Sequence, residues 1–123
     1  MCLLLALAAL LCGCAQQAGY AQITAEEGKA IMDSVEDCVV LDVRTQEEYD
    51  QGHIPGAILI PSTEIEARAG AELPDKSQVI LVYCRSGNRS KKASEILAQL
   101  GYTNVREFGG IIDWPYETEP AQP

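Results

Sequence analysis

Three short, continuous runs of apolar and β-branched residues stand out in the middle of the chain, at residues 39–43, 57–60 and 79–83. Continuous rather than alternating apolar runs are typical of strands that are covered on both faces, so they predict the strands of a parallel sheet. Residues 21–23 and 105–108 are weaker strand candidates on either side of this region. Together these runs predict an open, mostly parallel sheet of five strands.

Helix starts fall between the apolar runs. The pattern Thr-x-x-Glu, in which the two side chains satisfy free backbone N–H groups reciprocally, predicts a capped helix start. It occurs three times, at Thr24/Glu27, Thr45/Glu48 and Thr63/Glu66. A longer amphipathic helix is predicted from about Arg89 to Leu100, with Gly101 as its stop. Strands alternating with helices predict an α/β domain with helices on both faces of the sheet.

The first residues have a different character. Leu3 to Leu11 form an apolar run that is too short to span a bilayer, which needs about 20 residues. The run fits the apolar segment of an export signal, although it opens without Lys or Arg; a buried core helix is the alternative. The next residues, LCGC at 11–14, resemble the lipobox of bacterial lipoproteins, a resemblance that implies acylation of Cys14.

These features predict the organisation of the chain. Residues 1–13 are the signal segment, 14–20 a tether, 21–117 the folded domain and 118–123 a flexible tail. The expected location is outside the cytoplasm, in a periplasm or at the cell surface, with the lipid as the only membrane contact. Nothing in the sequence requires more than a monomer.

Charge and composition exclude some functions. Nine Lys and Arg against 18 Asp and Glu give a net charge of −9, so we expect no binding of nucleic acid through the overall field. With a single histidine, His53, the chain lacks the ligands for a typical zinc site, and we expect no metal or cofactor. Four of the nine basic residues nevertheless fall within eight positions, directly after a cysteine. They are Arg85, Arg89, Lys91 and Lys92.

That cysteine, Cys84, follows the strongest strand candidate and precedes the loop 85–90 and the longest helix. In parallel α/β folds, ligands bind at the carboxyl ends of the strands. Backbone N–H groups of a small-residue loop, a helix N-terminus and basic side chains all favour a thiolate or another anion. The alternative is that Cys84 is a small buried apolar residue, the commonest state of a free cysteine.

Four blocks in order together resemble the rhodanese family over roughly residues 20–117. They are LDVR at 41–44, GHIPGA at 52–57, YCRSGNRS at 83–90 and GGIIDW at 109–114. The resemblance implies a parallel-sheet fold and a catalytic cysteine, Cys84, that carries a sulfane sulfur as a persulfide. It implies transfer from a donor such as thiosulfate to an acceptor such as cyanide or a thiol. The sulfur-binding loop would be Arg85, Ser86, Gly87, Asn88 and Arg89.

Other readings of the cysteine loop remain. Related phosphatases use Cys-x5-Arg, but here Ser90 stands where that pattern requires Arg. Arg89 instead ends a shorter Cys-x4-Arg loop with less room for a tetrahedral oxyanion. A sulfur carrier that turns over small molecules poorly is a second alternative. A redox sensor is a third, although no resolving cysteine lies near Cys84 in the sequence.

The remaining marked residues have supporting or structural interpretations. Asp42, Arg44 and Ser90 are expected to support the loop, with a local ion pair as the alternative for Asp42 and Arg44. We expect His53 to bond the backbone in a tight turn and Trp114 to pack in the core. Cys38 begins the second strand and Cys84 ends the fourth, about 13–16 Å apart in parallel strands, so no disulfide is expected and Cys38 should be a buried free thiol.

Overall fold

The computed structural model describes residues 19–120. The signal segment 1–13, the acylation site Cys14, the tether up to residue 18 and residues 121–123 lie outside the described residues. Across residues 19–120, no helix combines the length and apolarity needed to cross a bilayer.

The predicted five-stranded parallel sheet is confirmed. Its strands lie in the order β1-β5-β4-β2-β3, and every neighbouring pair is parallel. The strand bounds, in chain order, are Ala21–Gln22 (β1), Val39–Asp42 (β2), Ile58–Leu59 (β3), Ile80–Cys84 (β4) and Val105–Gly110 (β5). Because β4 lies at the centre of the sheet between β2 and β5, all five of its residues are buried.

The helices are α1 (Ala25–Ser34), α2 (Gln46–Gln51), α3 (Ile65–Glu72) and α4 (Asn88–Gln99). Thr24 and Thr45 cap α1 and α2 with complete capping boxes, as predicted. The third capping box is wrong. A 3₁₀ turn over Ser62–Glu64, closed by Glu64 N–H donating to Pro61 O, takes up Thr63 before α3 begins, and the start of α3 has no side-chain cap.

Helices cover both faces of the sheet, as predicted. Buried residues of α3 and α4, including Ala69, Ala93 and Leu97, pack on one face around Val82. On the other face, residues of α1 and α2 pack around Tyr83, Phe108 and Trp114. Since both sides of β4 are covered, its carboxyl end is a rigid platform for the residues that follow.

The segment after residue 117 is hydrogen-bonded to the rest of the domain at residue 119. Glu119 forms an antiparallel bridge with His53, in which each backbone N–H donates to the other residue's carbonyl at 2.8 Å. Trp114 Nε1 also donates to the carbonyl of Glu117 at 3.1 Å. Residues 118–120, which the sequence predicts as part of a flexible tail, are therefore tied to the turn after α2.

Candidate active site

Cys84 is the last residue of the central strand and lies at the carboxyl edge of the sheet. It is 1% exposed, and Cys38 and Cys84 are both free thiols. Cys38 directly precedes β2 and Cys84 ends β4, so the two residues lie at opposite edges of the parallel sheet. Cys38, which the sequence predicts to be buried, is only partly buried. Burial raises the pKa of its thiol.

The loop after Cys84 turns directly into α4. Gly87, at φ +110°, is the residue before the helix, and this left-handed conformation suits glycine. Its backbone N–H donates to the sulfur of Cys84 at 3.0 Å. Burial opposes the thiolate, but hydrogen bonding with the Ser90 side chain and with the backbone of Ser90, Gly87 and Ser86 outweighs it and lowers the pKa of Cys84.

The end of β5 holds the loop from the other side. Cys84 pairs with Gly110 after a register shift in the ladder between β4 and β5. A Cβ atom on Gly110 would overlap the carbonyl oxygen of Arg85 and lie 2.6 Å from Ser86 Cα. The same Arg85 carbonyl accepts from the N–H of Ile112 at 3.2 Å. The loop therefore rests directly on the backbone of β5, which fixes its shape.

Ser90, in the first turn of α4, lies below the sulfur. Its Oγ is 3.4 Å from Cys84 Sγ and 2.5 Å from Oε2 of Glu107 on β5. Glu107 is buried and also accepts from the N–H of Gly109 at 3.0 Å. A hydroxyl thus connects the thiol to a buried carboxylate.

Arg89 does not point a free charge at the sulfur. Its guanidinium donates to both carboxylate oxygens of Glu48 on α2, at 2.8 and 3.1 Å. Arg89 holds the pKa of Glu48 down, to about 2. The ion pair ties α4 to α2 across the carboxyl edge of the sheet.

Asp42 and Arg44 form a local ion pair, one of the two arrangements that the sequence allows. Arg44 donates to Asp42 through Nε and Nη2, the shortest contact being 2.7 Å, and to the carbonyl of Gly52 at 2.7 Å. Asp42 also accepts from the Tyr83 hydroxyl at 2.6 Å. Both members of the pair are buried, and Arg44 also reaches the surface beside the loop.

A cavity of about 200 Å³ lies next to the cysteine loop. Arg44 and Arg85 line it together with Glu48, and Ile111 and Ile112 form an apolar side. The remaining lining residues are Gln51 and Gly52. Two guanidinium groups at one small cavity offer a binding place for an anion.

His53 and Trp114 have the structural roles that the sequence predicts. Nδ1 of His53 lies 3.0 Å from the carbonyl of Tyr49, and the two rings stack with centroids 3.9 Å apart. Trp114 packs against Phe108. Within residues 19–120 there is no group of three His, Cys, Asp or Glu side chains that could hold a metal ion.

Sequence reasoning missed three residues of this site: Glu48 as the partner of Arg89, Glu107 and the packing role of Gly110. A signal existed for Glu107, since the period of a strand places it on the same face as Val105, where an acidic residue is out of place. No comparable signal marked the pairing of Glu48, which depends on how α2 and α4 meet in space.

Comparison with known proteins identifies a family for most of this chain. A family model described as a rhodanese-like domain matches residues 24–115. Thiosulfate sulfurtransferase PspE of Escherichia coli (strain K12) is 45% identical over 73 residues, which cover 59% of this chain and 70% of that protein.

Two further similarities extend over more of the chain. The putative sulfur carrier protein YrkF of Bacillus subtilis (strain 168) is 38% identical over 99 residues, or 80% of this chain, but this match spans only 52% of YrkF. The crystal structure of a rhodanese-like domain protein from Staphylococcus aureus superposes with a TM-score of 0.73 at 32% identity, covering 83% of this chain and 99% of that one.

Proposed function

Because this chain belongs to the rhodanese-like domain family, whose matched members are named sulfurtransferases or sulfur carriers, we propose that it transfers sulfane sulfur through a persulfide on Cys84. The observation that carries the proposal is the position of Cys84 Sγ, which is buried at the end of β4 and hydrogen-bonded by the N–H of Gly87. Such a site favours the thiolate, the nucleophilic form of a cysteine.

In the first half-reaction the donor is a dianion such as thiosulfate. Arg44 and Arg85 line the adjacent cavity and supply positive charge for it. The Cys84 thiolate attacks the outer sulfur, a new S–S bond forms, and the old S–S bond breaks so that sulfite leaves with the electron pair. Backbone N–H groups of Ser86 and Gly87, which lower the pKa of Cys84, then face the negative sulfur of the persulfide.

In the second half-reaction a thiophilic acceptor attacks the outer sulfur of the persulfide. The bond between the two sulfur atoms breaks, and Cys84 leaves as the thiolate, whose lowered pKa makes it a good leaving group. Cyanide would become thiocyanate, and a thiolate acceptor would become a persulfide. The two halves together need no net proton transfer and no cofactor.

A sulfur carrier is the second candidate function. The similarity to YrkF over 80% of this chain favours it, since that protein is named a putative sulfur carrier. Such a protein would hold the same persulfide but receive and pass on sulfur only with a protein partner.

The purified full chain, reduced and then mixed with thiosulfate and cyanide, tests both functions. Thiocyanate formation together with a mass increase of about 32 Da, one sulfur atom on the thiol nucleophile, is the expected result, and Cys84→Ser should show neither. Cys38→Ser is the matched control and should keep both. A persulfide without thiocyanate turnover would favour the carrier, and absence of both from folded protein would refute the proposal.

We also propose that the protein is exported and held at a membrane by a lipid on Cys14. The apolar run Leu3–Leu11 and the LCGC sequence at 11–14 support this. Expression in a bacterial host with a labelled fatty acid should give a labelled protein in the membrane fraction. Cys14→Ser should lose the label while Cys12→Ser keeps it; an unlabelled parent chain would contradict the proposal.

A further inference from the structure

A buried carboxylate that sulfur transfer as described does not use lies two hydrogen bonds from the nucleophile. Glu107 is 2% exposed, and none of the ion pairs found within residues 19–120 includes it. Its Oε2 accepts from Ser90 Oγ and from Gly109 N, and its Oε1 lies 3.5 Å from Gln22 Nε2. A carboxylate removed from water depends on such donors, because it has lost its hydration.

Ser90 is the donor that connects Glu107 to Cys84. A hydroxyl has one proton to give and two lone pairs to accept with. The Oγ of Ser90 lies 2.5 Å from Glu107 Oε2, 3.0 Å from Gly87 O, and 3.4 Å from both Cys84 Sγ and Gly109 O. The carboxylate is the nearest and the strongest acceptor, so the proton points to Glu107. Ser90 then accepts from the Cys84 thiol, and it can donate to a Cys84 thiolate only if its proton turns away from Glu107.

We propose that Glu107 is a positioning residue that sets the ionisation of Cys84 through the single proton of Ser90. While Glu107 is charged, it competes with the sulfur for that proton and so limits the formation of the thiolate. The inference depends on the proposed function only in taking Cys84 as the nucleophile.

The thiolate forms when the S–H bond of Cys84 breaks and its proton leaves for solvent. The Ser90 hydroxyl can then donate either to the sulfur or to Glu107, so the carboxylate competes for the proton that would stabilise the thiolate. The negative charge of Glu107 also opposes the new negative charge on the sulfur.

Other charged groups lie near Cys84 and Glu107, but none of those described below connects the two side chains. Facing Cys84 or its loop are Arg44, Arg85 and Arg89 with the acids Asp42 and Glu48. Arg44 and Arg89 are each bound to one of these acids. On the other side of Glu107 lies Tyr20, whose pKa is raised by burial and by the nearby Glu107 and Glu95. The hydroxyl of Ser90 remains the only group found between the thiol and the carboxylate within residues 19–120.

The test is a pH titration of the Cys84 thiolate by its ultraviolet absorbance, with the spectrum of the matching Cys84→Ser variant subtracted at each pH. No sulfur donor is present, so a lack of sulfur transfer would not affect the result. Glu107→Gln should lower the midpoint by about one pH unit, a tenfold larger thiolate-to-thiol ratio, because the neutral amide no longer claims the Ser90 proton or opposes the thiolate charge.

Two controls separate the effect of Glu107 on the Ser90 hydroxyl from other effects of the substitution. Glu95→Gln removes a charge from α4 without a contact to Ser90 and should leave the midpoint nearly unchanged. In a Ser90→Ala background, Glu107→Gln should have little effect. A midpoint that Glu107→Gln leaves unchanged, or a shift that persists in full without the Ser90 hydroxyl, would overturn the proposal.

A variant that keeps the charge covers the case in which Glu107→Gln does not fold. Glu107→Asp withdraws the carboxylate from Ser90 by one methylene. It should also lower the midpoint, because Ser90 is released to donate to the thiolate. If only the charge of Glu107 mattered, Glu107→Asp would not lower the midpoint of the Cys84 titration. An unchanged or higher midpoint would therefore refute the proposal.

Discussion

Gly110 lies against the backbone of Arg85 so closely that a single methyl group on it would overlap the Arg85 carbonyl oxygen. Its own backbone, at φ −130° and ψ 153°, is one that any residue adopts. The glycine is therefore required by contact and not by conformation. The strand that neighbours β4 thus shapes the loop that follows Cys84.

Gly110→Ala should consequently displace the cysteine loop. We expect a loss of stability of about 3 kcal/mol, at the upper end of the cost of overpacking, and loss of persulfide formation. Denaturant unfolding and mass spectrometry after incubation with thiosulfate measure the two effects. Gly70→Ala is the control, since Gly70 lies inside α3 with no atom within 4 Å of its added Cβ. It should raise stability by up to about 1 kcal/mol and leave sulfur loading intact.

The pH dependence of persulfide formation should follow the thiolate of Cys84. Since hydrogen bonds outweigh burial and lower the pKa of Cys84 below the ordinary value for a cysteine, the thiolate is present at lower pH, and the loading rate should fall only as pH drops through that lowered value. Single-turnover loading with thiosulfate across a pH series measures this. Alkylation of Cys38, whose pKa is raised by burial, should have its midpoint above the ordinary pKa of a cysteine thiol. The opposite order of the two midpoints would contradict the site described here.

The ion pair between Glu48 and Arg89 should protect the fold against acid. The pKa of Glu48 falls from 4.5 to about 2 in the folded chain, so its contribution is complete above pH 4.5 and is lost as pH falls towards about 2. After discounting for partial exposure, we expect Glu48→Gln to cost about 1 kcal/mol at neutral pH. It should also flatten the acid limb of a plot of stability against pH. Glu47→Gln, on the same helix, is the control and should do neither.

Tyr83→Phe should destabilise the domain without removing any side chain from the cavity. The Tyr83 hydroxyl donates to Asp42 and accepts from the N–H of Ile54 at 3.1 Å. Because its loss leaves a buried N–H unpaired, we expect a decrease of about 2 kcal/mol in the free energy of unfolding. Tyr116→Phe, at a partly exposed tyrosine, should change stability by less than about 0.5 kcal/mol. Equal effects of the two substitutions would show that the Tyr83 hydrogen bonds do not matter.

The sequence was informative wherever one residue type had a strong local preference. Continuous apolar runs predicted three strands and weaker patterns the other two, all in their approximate places, and the helix predicted from Arg89 to Leu100 begins and ends within one residue of α4. Local preference failed at Thr63, where Pro61 starts a 3₁₀ turn that competes with the capping box.

Contacts between distant elements could not be predicted in the same way. Ser90 and Glu107 are 17 positions apart, and Glu48 and Arg89 are 41 apart. These pairings depend on the order of the strands in the sheet, which the apolar pattern does not contain. The same applies to Gly110, whose tight packing depends on β5 lying beside β4.

That strand order also has a consequence for synthesis of the chain. β5 lies between β1 and β4, so β1 cannot join the sheet until β5, the last strand in the sequence, has formed. As the chain emerges from the ribosome, Cys84 appears before Glu107, Gly109 and Gly110. The loop after Cys84 has no β5 backbone to pack against until those residues follow. Until β5 has been synthesised, Cys84 therefore lacks the residues that hold its loop in place.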